Sequence, residues 1–175
     1  MNTYRKVCRK AWINDQYNGL TRREGFFLEK ECLEKLNSKF DCLCSVQCEH
    51  FPKIISCDQC NYIFTLSNCG TDLHEYKLLV KTNKIKPITV KNMEEQIDCI
   101  IYNLKKCKIQ HFDPKTRNIC INNKGIISLI DFDVAAIGDN YRSIKLKANA
   151  NAYSKGDYYI KFKKQLITTI SNIIK

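Results

Sequence analysis

The stretch His111-Phe-Asp-Pro-Lys-Thr-Arg-Asn118 places a carboxylate, a lysine and an amide within one short polar segment. A strongly apolar run, Ile126-Ile-Ser-Leu-Ile130, follows it and leads directly into Asp131-Phe-Asp133. A short run rich in isoleucine predicts a buried strand. The chain is therefore predicted to carry a polar loop and, thirteen residues after Asn118, a second carboxylate at a strand end.

These side chains suit the transfer of a phosphoryl group from a metal-bound nucleotide. A hydroxyl acceptor needs a carboxylate that orients it and accepts its proton, and Asp113 is the candidate for that role. Mg²⁺ prefers hard oxygen ligands, and Asn118 and Asp131 can supply them. Lys115 is the candidate for neutralising the charge that develops on the transferred phosphate.

Residues 111–118 resemble the protein kinase catalytic loop H-R-D-x-K-x-x-N, and Ile130-Asp-Phe-Asp133 resembles the metal-binding D-F-G segment of that family. The resemblance implies that the protein uses ATP and Mg²⁺. The family's pattern assigns roles to four residues here: catalysis to Asp113 and Lys115, and metal binding to Asn118 and Asp131.

The first residues of the chain extend the resemblance. Val7-Cys-Arg-Lys10 is similar to the V-A-x-K strand of kinases, whose lysine contacts the ATP phosphates. Lys10 is therefore the predicted phosphate anchor. Arg9 and Lys6 compete with it for this role, because a strand of basic residues leaves the register open.

A helix is predicted from Thr21 to Asn37, because apolar residues recur on one face and Thr21 and Glu24 have the spacing of a capping box. The apolar face is predicted to include both Phe26 and Phe27. Glu29 falls where the kinase helix carries the glutamate that pairs with the phosphate-binding lysine.

Two apolar runs, Phe51–Ser56 and Asn61–Leu66, are joined by a polar turn and predict an antiparallel hairpin. The segment that follows, 67–70, resembles the kinase hinge, whose backbone binds adenine. By that resemblance Leu66 lies at the back of the nucleotide pocket and the backbone near Cys69 contacts the base. A plain strand-to-helix loop with Gly70 in a turn is the alternative.

Two further helices are predicted, over Val90–Lys108 and Tyr158–Ile174, and the first is expected to pack beneath the loop that begins at His111.

The resemblance implies an α+β, kinase-like fold with two lobes in a single domain, 1–175. A small antiparallel β lobe with one helix would occupy 1–69, with the hinge near 67–70. A reduced helical lobe would occupy 71–175.

Two departures from the family pattern affect the expected activity. No glycine-rich phosphate loop precedes Val7, and no A-P-E motif follows Asp133. We expect an ATP-dependent phosphotransferase that acts on protein Ser/Thr hydroxyls, similar to divergent kinase-like proteins of large DNA viruses. The alternatives are a pseudokinase that serves as a binding or regulatory module, and a small-molecule kinase of the aminoglycoside or choline kinase type.

The composition is that of an ordinary soluble globular protein, with 44% hydrophobic and 27% charged residues. The net charge of +11 favours acidic partners, but the basic residues are scattered and form no nucleic-acid-binding motif. No signal peptide opens the chain and no apolar run could span a membrane, so an intracellular location without membrane partners is expected. The segment 144–156 is the candidate mobile substrate loop.

Eleven cysteines, an odd number, predict reduced thiols and a reducing compartment. Cys57 and Cys60 have the C-x-x-C spacing of zinc ligands, and Cys44 or Cys48 with His50 could complete a site. A zinc-stabilised nucleic-acid binder is thus a third hypothesis, against which stands the absence of a second clean C-x-x-C pair.

Overall fold

A computed structural model describes residues 3–7, 21–45, 49–138 and 158–174. These residues form four α-helices, eight short strands and one 3₁₀ turn, Thr116–Asn118. In chain order the helices and strands are β1 (Thr3–Val7), α1 (Arg22–Ser38), β2 (Ile54–Asp58), β3 (Ile63–Ser67), β4 (Thr71–Asp72), α2 (Leu73–Lys81), α3 (Met93–Lys106), β5 (Ile109–Gln110), β6 (Ile119–Ile121), β7 (Ile127–Leu129), β8 (Ala136–Ile137) and α4 (Tyr158–Ser171).

The strands form three small antiparallel sheets, ordered β1-β3-β2, β4-β6-β7 and β5-β8. The predicted hairpin is confirmed as β2 and β3, with an irregularity in the register between Ile54 and Ser56. The apolar run before Asp131 forms the fully buried strand β7. The predicted α+β class is therefore confirmed.

Helix α1 begins and ends within one residue of the prediction. Thr21 caps it, and both hydrogen bonds of the predicted capping box with Glu24 are present. Phe26 is buried, whereas Phe27, which was predicted on the same face, is 37% exposed. That part of the prediction is wrong, because successive helical residues are separated by about 100° and the core covers only one side of this helix.

The long apolar helices share one core with the first sheet. Both predicted helices are present as α3 and α4. Helix α3 is a few residues shorter than predicted at both ends, whereas α4 begins at Tyr158 as predicted and ends three residues early. Ile100 of α3 and Phe162 of α4 are buried in the same cluster as Phe64 of β3. This shared core holds the first sheet and the helices around the polar segment 111–118.

The connection between the first and second sheets runs through Gly70. Its φ of +99° lies in the left-handed region, and a Cβ there would lie 2.2 Å from the carbonyl oxygen of Ile121. Only glycine fits so close to β6. Asp72 then caps α2, a helix that was not predicted, by accepting hydrogen bonds from the backbone N–H groups of His74 and Glu75.

Some predicted features lie outside the described residues, namely Lys10 with Arg9, and the candidate substrate loop at 144–156. In the described part of the chain, no helix has the length and apolar character needed to cross a membrane.

Candidate functional site

A cavity of about 860 Å³ lies where β1, α1 and β3 face the segments around β6 and β7. Its lining includes most residues that the sequence analysis selected: Glu29, Leu66, Cys69, Lys115, Asn118 and Asp131. Lys6 of β1 also lines it. Residues that are far apart in the sequence therefore lie on one concave surface, which is the usual setting of a ligand site.

Lys6, Glu29 and Asp131 form an ion-paired trio at the centre of this cavity. The Nζ atom of Lys6 donates to Glu29 Oε2 at 2.6 Å and to Asp131 Oδ1 at 2.5 Å. Glu29 is fully buried, while the side chains of Lys6 and Asp131 are 20% and 28% exposed. One cation is thus held between two carboxylates with part of its surface open to the cavity.

The charges of the trio shift one another's titration. Burial disfavours charged Lys6, but the attraction of Glu29 and Asp131 outweighs it and raises the pKa of the lysine above its ordinary value. Burial likewise opposes ionised Asp131, yet the attraction of Lys6 lowers the pKa of this carboxyl. Burial raises the pKa of Glu29 in spite of its contact with Lys6. Lys6 and Asp131 are therefore charged at neutral pH.

The lysine that meets Glu29 is Lys6, one of the two competitors that the sequence analysis left open beside Lys10. In the antiparallel pairing of β1 with β3, Lys6 lies opposite Phe64. This register turns the side chain of Lys6 toward α1. Lys10 itself lies outside the described residues.

Helix α1 contacts the segment after β7 closely. Glu29 Oε1 accepts a hydrogen bond from the backbone N–H of Phe132 at 3.4 Å. One turn earlier, Gly25 lies so near Asp133 that a Cβ would be 3.3 Å from its carbonyl oxygen. A glycine and a buried carboxylate on one helical face thus allow α1 to position residues 131–133.

The loop 111–118 holds its polar side chains against one another. The amide nitrogen of Asn118 donates to the backbone oxygen of Asp113 at 3.1 Å and to its Oδ2 at 2.8 Å. Lys115 Nζ donates to the same Oδ2 at 2.5 Å. Because the amide nitrogen of Asn118 is directed at Asp113, its Oδ1 is the atom suited to ligate a cation. The side chain of Asp113 remains 30% exposed.

His111 braces this loop. It is fully buried, and its Nε2 donates to the carbonyl oxygen of Ile130 at 2.9 Å, which leaves Nδ1 to accept the N–H of Asp113 at 3.3 Å. Burial lowers the pKa of His111, so the ring is neutral. The hydroxyl of Tyr158 on α4 accepts the backbone N–H groups of His111 and Phe112.

Two residues of the site have left-handed backbone conformations that only glycine adopts readily. Phe112 has a φ of +61° and Asp131 a φ of +70°. Such a conformation costs roughly 1–3 kcal/mol and persists where the surroundings impose it. Asp131 itself lines the cavity and Phe112 directly precedes Asp113, while four further described residues, Tyr62, Asn83, Asn92 and Lys108, have a positive φ elsewhere.

Asp133 is a site residue to which the sequence analysis gave no role. It lines the same cavity, and burial together with the nearby charge of Asp131 raises its pKa to about 6. The D-x-D spacing in residues 131–133 is the signal that could have identified it. A second carboxylate beside Asp131 adds an oxygen ligand for a divalent cation.

Leu66 and Cys69 border the cavity on the side of the 67–70 connection. Leu66 is buried, and burial raises the pKa of the Cys69 thiol to about 11, so this cysteine is a neutral lining residue. Ser67, Asn68 and Gly70 of the same connection also line the cavity.

Cys57 and Cys60 do not complete the zinc site that their spacing suggested. Cys57 lies in β2 and Cys60 in the following exposed turn. Cys44 and His50, their proposed partners, are instead buried beside α3 and β7. A C-x-x-C spacing fixes local geometry only, and the fold directs the two halves to different places. Cys48 lies outside the described residues.

Neither a protein-family model nor a curated protein matches this chain. The function is therefore argued from the geometry of the cavity and its side chains.

Proposed function

We propose that this protein is an ATP-dependent phosphotransferase with a protein kinase-like, two-lobed fold in one domain. The observation that carries the proposal is the ion-paired trio, in which Lys6 is held by Glu29 and Asp131 within the cavity that Asn118 and Lys115 also line. A phosphate anchor, metal ligands and a basic residue near the acceptor are the parts that phosphoryl transfer requires.

In this proposal the chain binds ATP along the cavity. The extended backbone near Cys69 contacts adenine and Leu66 closes the back of the pocket, since both border the cavity on one side. Lys6 contacts the phosphates, and Glu29 keeps its ammonium group in place. Because the carboxylate is fully buried, it can orient Lys6 without competing for ligands in the open part of the site.

The residues that would hold Mg²⁺ are Asn118 and Asp131, with Asp133 as a third oxygen donor. An amide oxygen and carboxylates are the hard ligands that this ion prefers. When bound, the ion neutralises negative charge on the phosphates. Asp131 contacts Lys6 in this structure. On binding, Lys6 would contact the nucleotide phosphates and Asp131 would contact the metal ion.

Asp113 is the group that orients the acceptor hydroxyl and accepts its proton. Asn118 and Lys115 hold its carboxylate, which is still partly exposed. Lys115 then lies where it can stabilise the transferred phosphoryl group. Protein Ser/Thr hydroxyls are the proposed acceptors, and the charge of +11 favours acidic sequences around them. A small alcohol is the alternative acceptor.

The second candidate is a pseudokinase that binds a nucleotide or partner without catalysis. One observation favours it: Asp131 is already paired with Lys6, so a metal must compete with that ion pair.

The experiment combines Mg-ATP calorimetry with single-turnover transfer from labelled ATP to casein, a generic acidic protein, and to choline. The enzyme proposal expects saturable binding and slow transfer, both lost in Lys6→Met and retained in Arg5→Gln, a change at an exposed residue of the same strand. Binding without transfer to any acceptor, including the chain itself, would establish the pseudokinase. Absence of Mg-ATP binding would refute the phosphotransferase and any nucleotide-binding form of the pseudokinase.

A further inference from the structure

A compact group of sulfur atoms lies outside the cavity, between the end of α1 and helix α3. The Sγ atoms of Cys42, Cys44 and Cys99, here called the sulfur cluster, lie within 4.8 Å of one another. Cys42 and Cys44 come from the loop after α1, and their Sγ atoms are 3.6 Å apart. Cys99 comes from α3 and is fully buried.

A histidine adjoins the sulfur cluster. His50 is fully buried, and its Nε2 lies 3.6 Å from Cys44 Sγ. Its Nδ1 lies 2.6 Å from the carbonyl oxygen of Ile127, which can only accept, so Nδ1 carries the proton and Nε2 presents its lone pair to the sulfur. Packing of cysteines as small apolar residues does not require this orientation.

We propose that the sulfur cluster, together with His50, holds a structural zinc ion. Tetrahedral zinc with Zn–S bonds of about 2.3 Å and Zn–N bonds of about 2.0–2.1 Å separates its ligand atoms by about 3.5–3.8 Å. Two ligand pairs, Cys42 with Cys44 and Cys44 with His50, lie at 3.6 Å and match that separation. The group whose ligand atoms all lie within 4.8 Å of one another does not include His50, so the His50 ring would move toward the other sulfur atoms when the ion binds. Each thiol proton leaves to solvent as its sulfur bonds the ion.

The surroundings supply the hydrogen bonds that metal ligands need. The ring N–H of His50 bonded to a backbone carbonyl fixes the tautomer and ring orientation, as is usual for zinc-bound histidines. The backbone N–H of Leu43 donates to Cys99 Sγ at 3.4 Å and would stabilise this sulfur as a zinc-bound thiolate.

The ion would link three segments of the chain: the loop after α1, helix α3 and the residues that contact β7. The loop after α1 already contacts α3, since Asp41 and Asn103 exchange two hydrogen bonds of 3.0 and 2.9 Å. His50 adds β7, through Ile127 and through its own carbonyl, which accepts the N–H of Leu129 at 2.8 Å. Zinc at this point would tie α1 and β7 to α3. The inference is independent of any phosphotransferase activity.

The first test measures the metal content of the full-length protein, purified without chelator, by inductively coupled plasma mass spectrometry. We expect about one zinc ion per chain, retained in the Cys57→Ser/Cys60→Ser variant, which has lost the C-x-x-C spacing. The Cys44→Ser/Cys99→Ser variant should contain almost none. The proposal would be overturned if the wild-type protein contained no zinc and took none up. It would also be overturned if zinc were lost only from the Cys57→Ser/Cys60→Ser variant.

The second test does not depend on a buried cysteine variant folding well. Co²⁺ titrated into the metal-free wild-type protein should give the visible bands of tetrahedral cobalt and a thiolate-to-cobalt charge-transfer band. His50→Gln should weaken Co²⁺ binding by at least about tenfold. Mutating a residue that only hydrogen-bonds to a metal ligand already lowers metal affinity by about 10–100-fold. His74→Gln, at an exposed histidine on α2, should change nothing.

A competing state of the same atoms is a disulfide. Alkylation under denaturing conditions, after purification without oxygen, should label all three thiols of the sulfur cluster once zinc is removed. Octahedral cobalt spectra, or a disulfide between two of the three cysteines in such a sample, would refute the zinc site.

Discussion

The loop 111–118 and the ion-paired trio supply the polar groups of one cavity, but they are assembled over very different lengths of chain. In the loop, Asp113 and Asn118 bond across five residues. In the trio, Lys6 reaches Glu29 across 23 residues and Asp131 across 125. The difference teaches that a local motif orders its own side chains, whereas the trio exists only when β1, α1 and β7 are packed together.

The sharpest test of the trio is Asp131→Asn, which removes the carboxylate that meets Lys6 and has the proposed metal role. We expect Mg²⁺-dependent nucleotide binding and turnover to disappear while the fold remains, because Asp131 is partly exposed at a strand end. Calorimetry with and without Mg²⁺, alongside circular dichroism, measures both effects.

Asp98→Asn is the matched control, since Asp98 forms an ion pair with Lys163 on the surface of α3. It should leave binding and turnover at wild-type values. Unchanged Mg-ATP affinity and turnover in folded Asp131→Asn would remove Asp131 from the metal site.

In the loop, Asp113→Asn tests a role that involves the acceptor and not the nucleotide. Turnover should fall by about 10²–10⁴-fold, the usual contribution of a positioned general base, while ATP affinity stays nearly constant. A long single-turnover time course with labelled ATP gives the rate, and calorimetry gives the affinity. Equal transfer by the variant and the wild type would contradict the assigned role.

The pairing of Lys6 with Glu29 is tested by a double-mutant cycle with Lys6→Met and Glu29→Gln. Coupling of about 0.5–3 kcal/mol is expected in ATP affinity and in the free energy of unfolding, because the two side chains contact each other and one is fully buried. Urea unfolding and calorimetry on the four proteins give the coupling energies.

The exposed pair Lys30 and Glu34 on the same helix provides the reference cycle. Its coupling in unfolding should be only about 0.3–0.5 kcal/mol, with none in ATP affinity. Additive effects of Lys6→Met and Glu29→Gln would show that the two side chains do not act as a pair. A larger loss of ATP affinity in Lys10→Met than in Lys6→Met would return the phosphate anchor to Lys10.

The smallest expected effect concerns Asp133. Its pKa is raised from 3.8 to about 6, so the folded protein binds this proton more tightly than the unfolded chain. The associated stabilisation is complete below about pH 4 and is lost as the pH rises through about 6. At pH 7 in EDTA, Asp133→Asn should therefore be more stable than wild type, by about 0.5–2 kcal/mol.

Urea unfolding at pH 4.5 and pH 7 measures this difference, which should be smaller at the lower pH. The same variant should bind Mg-ATP more weakly, because it has lost an oxygen ligand. A variant less stable than wild type at pH 7 would show that ionised Asp133 supports the fold.

Much of the secondary structure could be predicted, because its signals lie within a few residues of one another. The capping box of Thr21 and Glu24 predicted α1, and the isoleucine-rich run before Asp131 predicted β7. Helix α2 was missed, since its start depends on Gly70 passing close to β6. The exposure of Phe27 was missed as well, because periodicity does not say how wide a face the core will cover.

The amino-acid sequence by itself determined the polar loop, the acidic strand end and the helix with Glu29, since each depends on neighbouring residues. Tertiary structure alone decided that Lys6 meets Glu29, that Asp133 shares the cavity, and that Cys99 joins Cys42 and Cys44. The physical reason is the range of the interactions. Turns, caps and periodic faces form within a few residues, whereas ion pairs and sulfur clusters form between segments that only the packed core brings together.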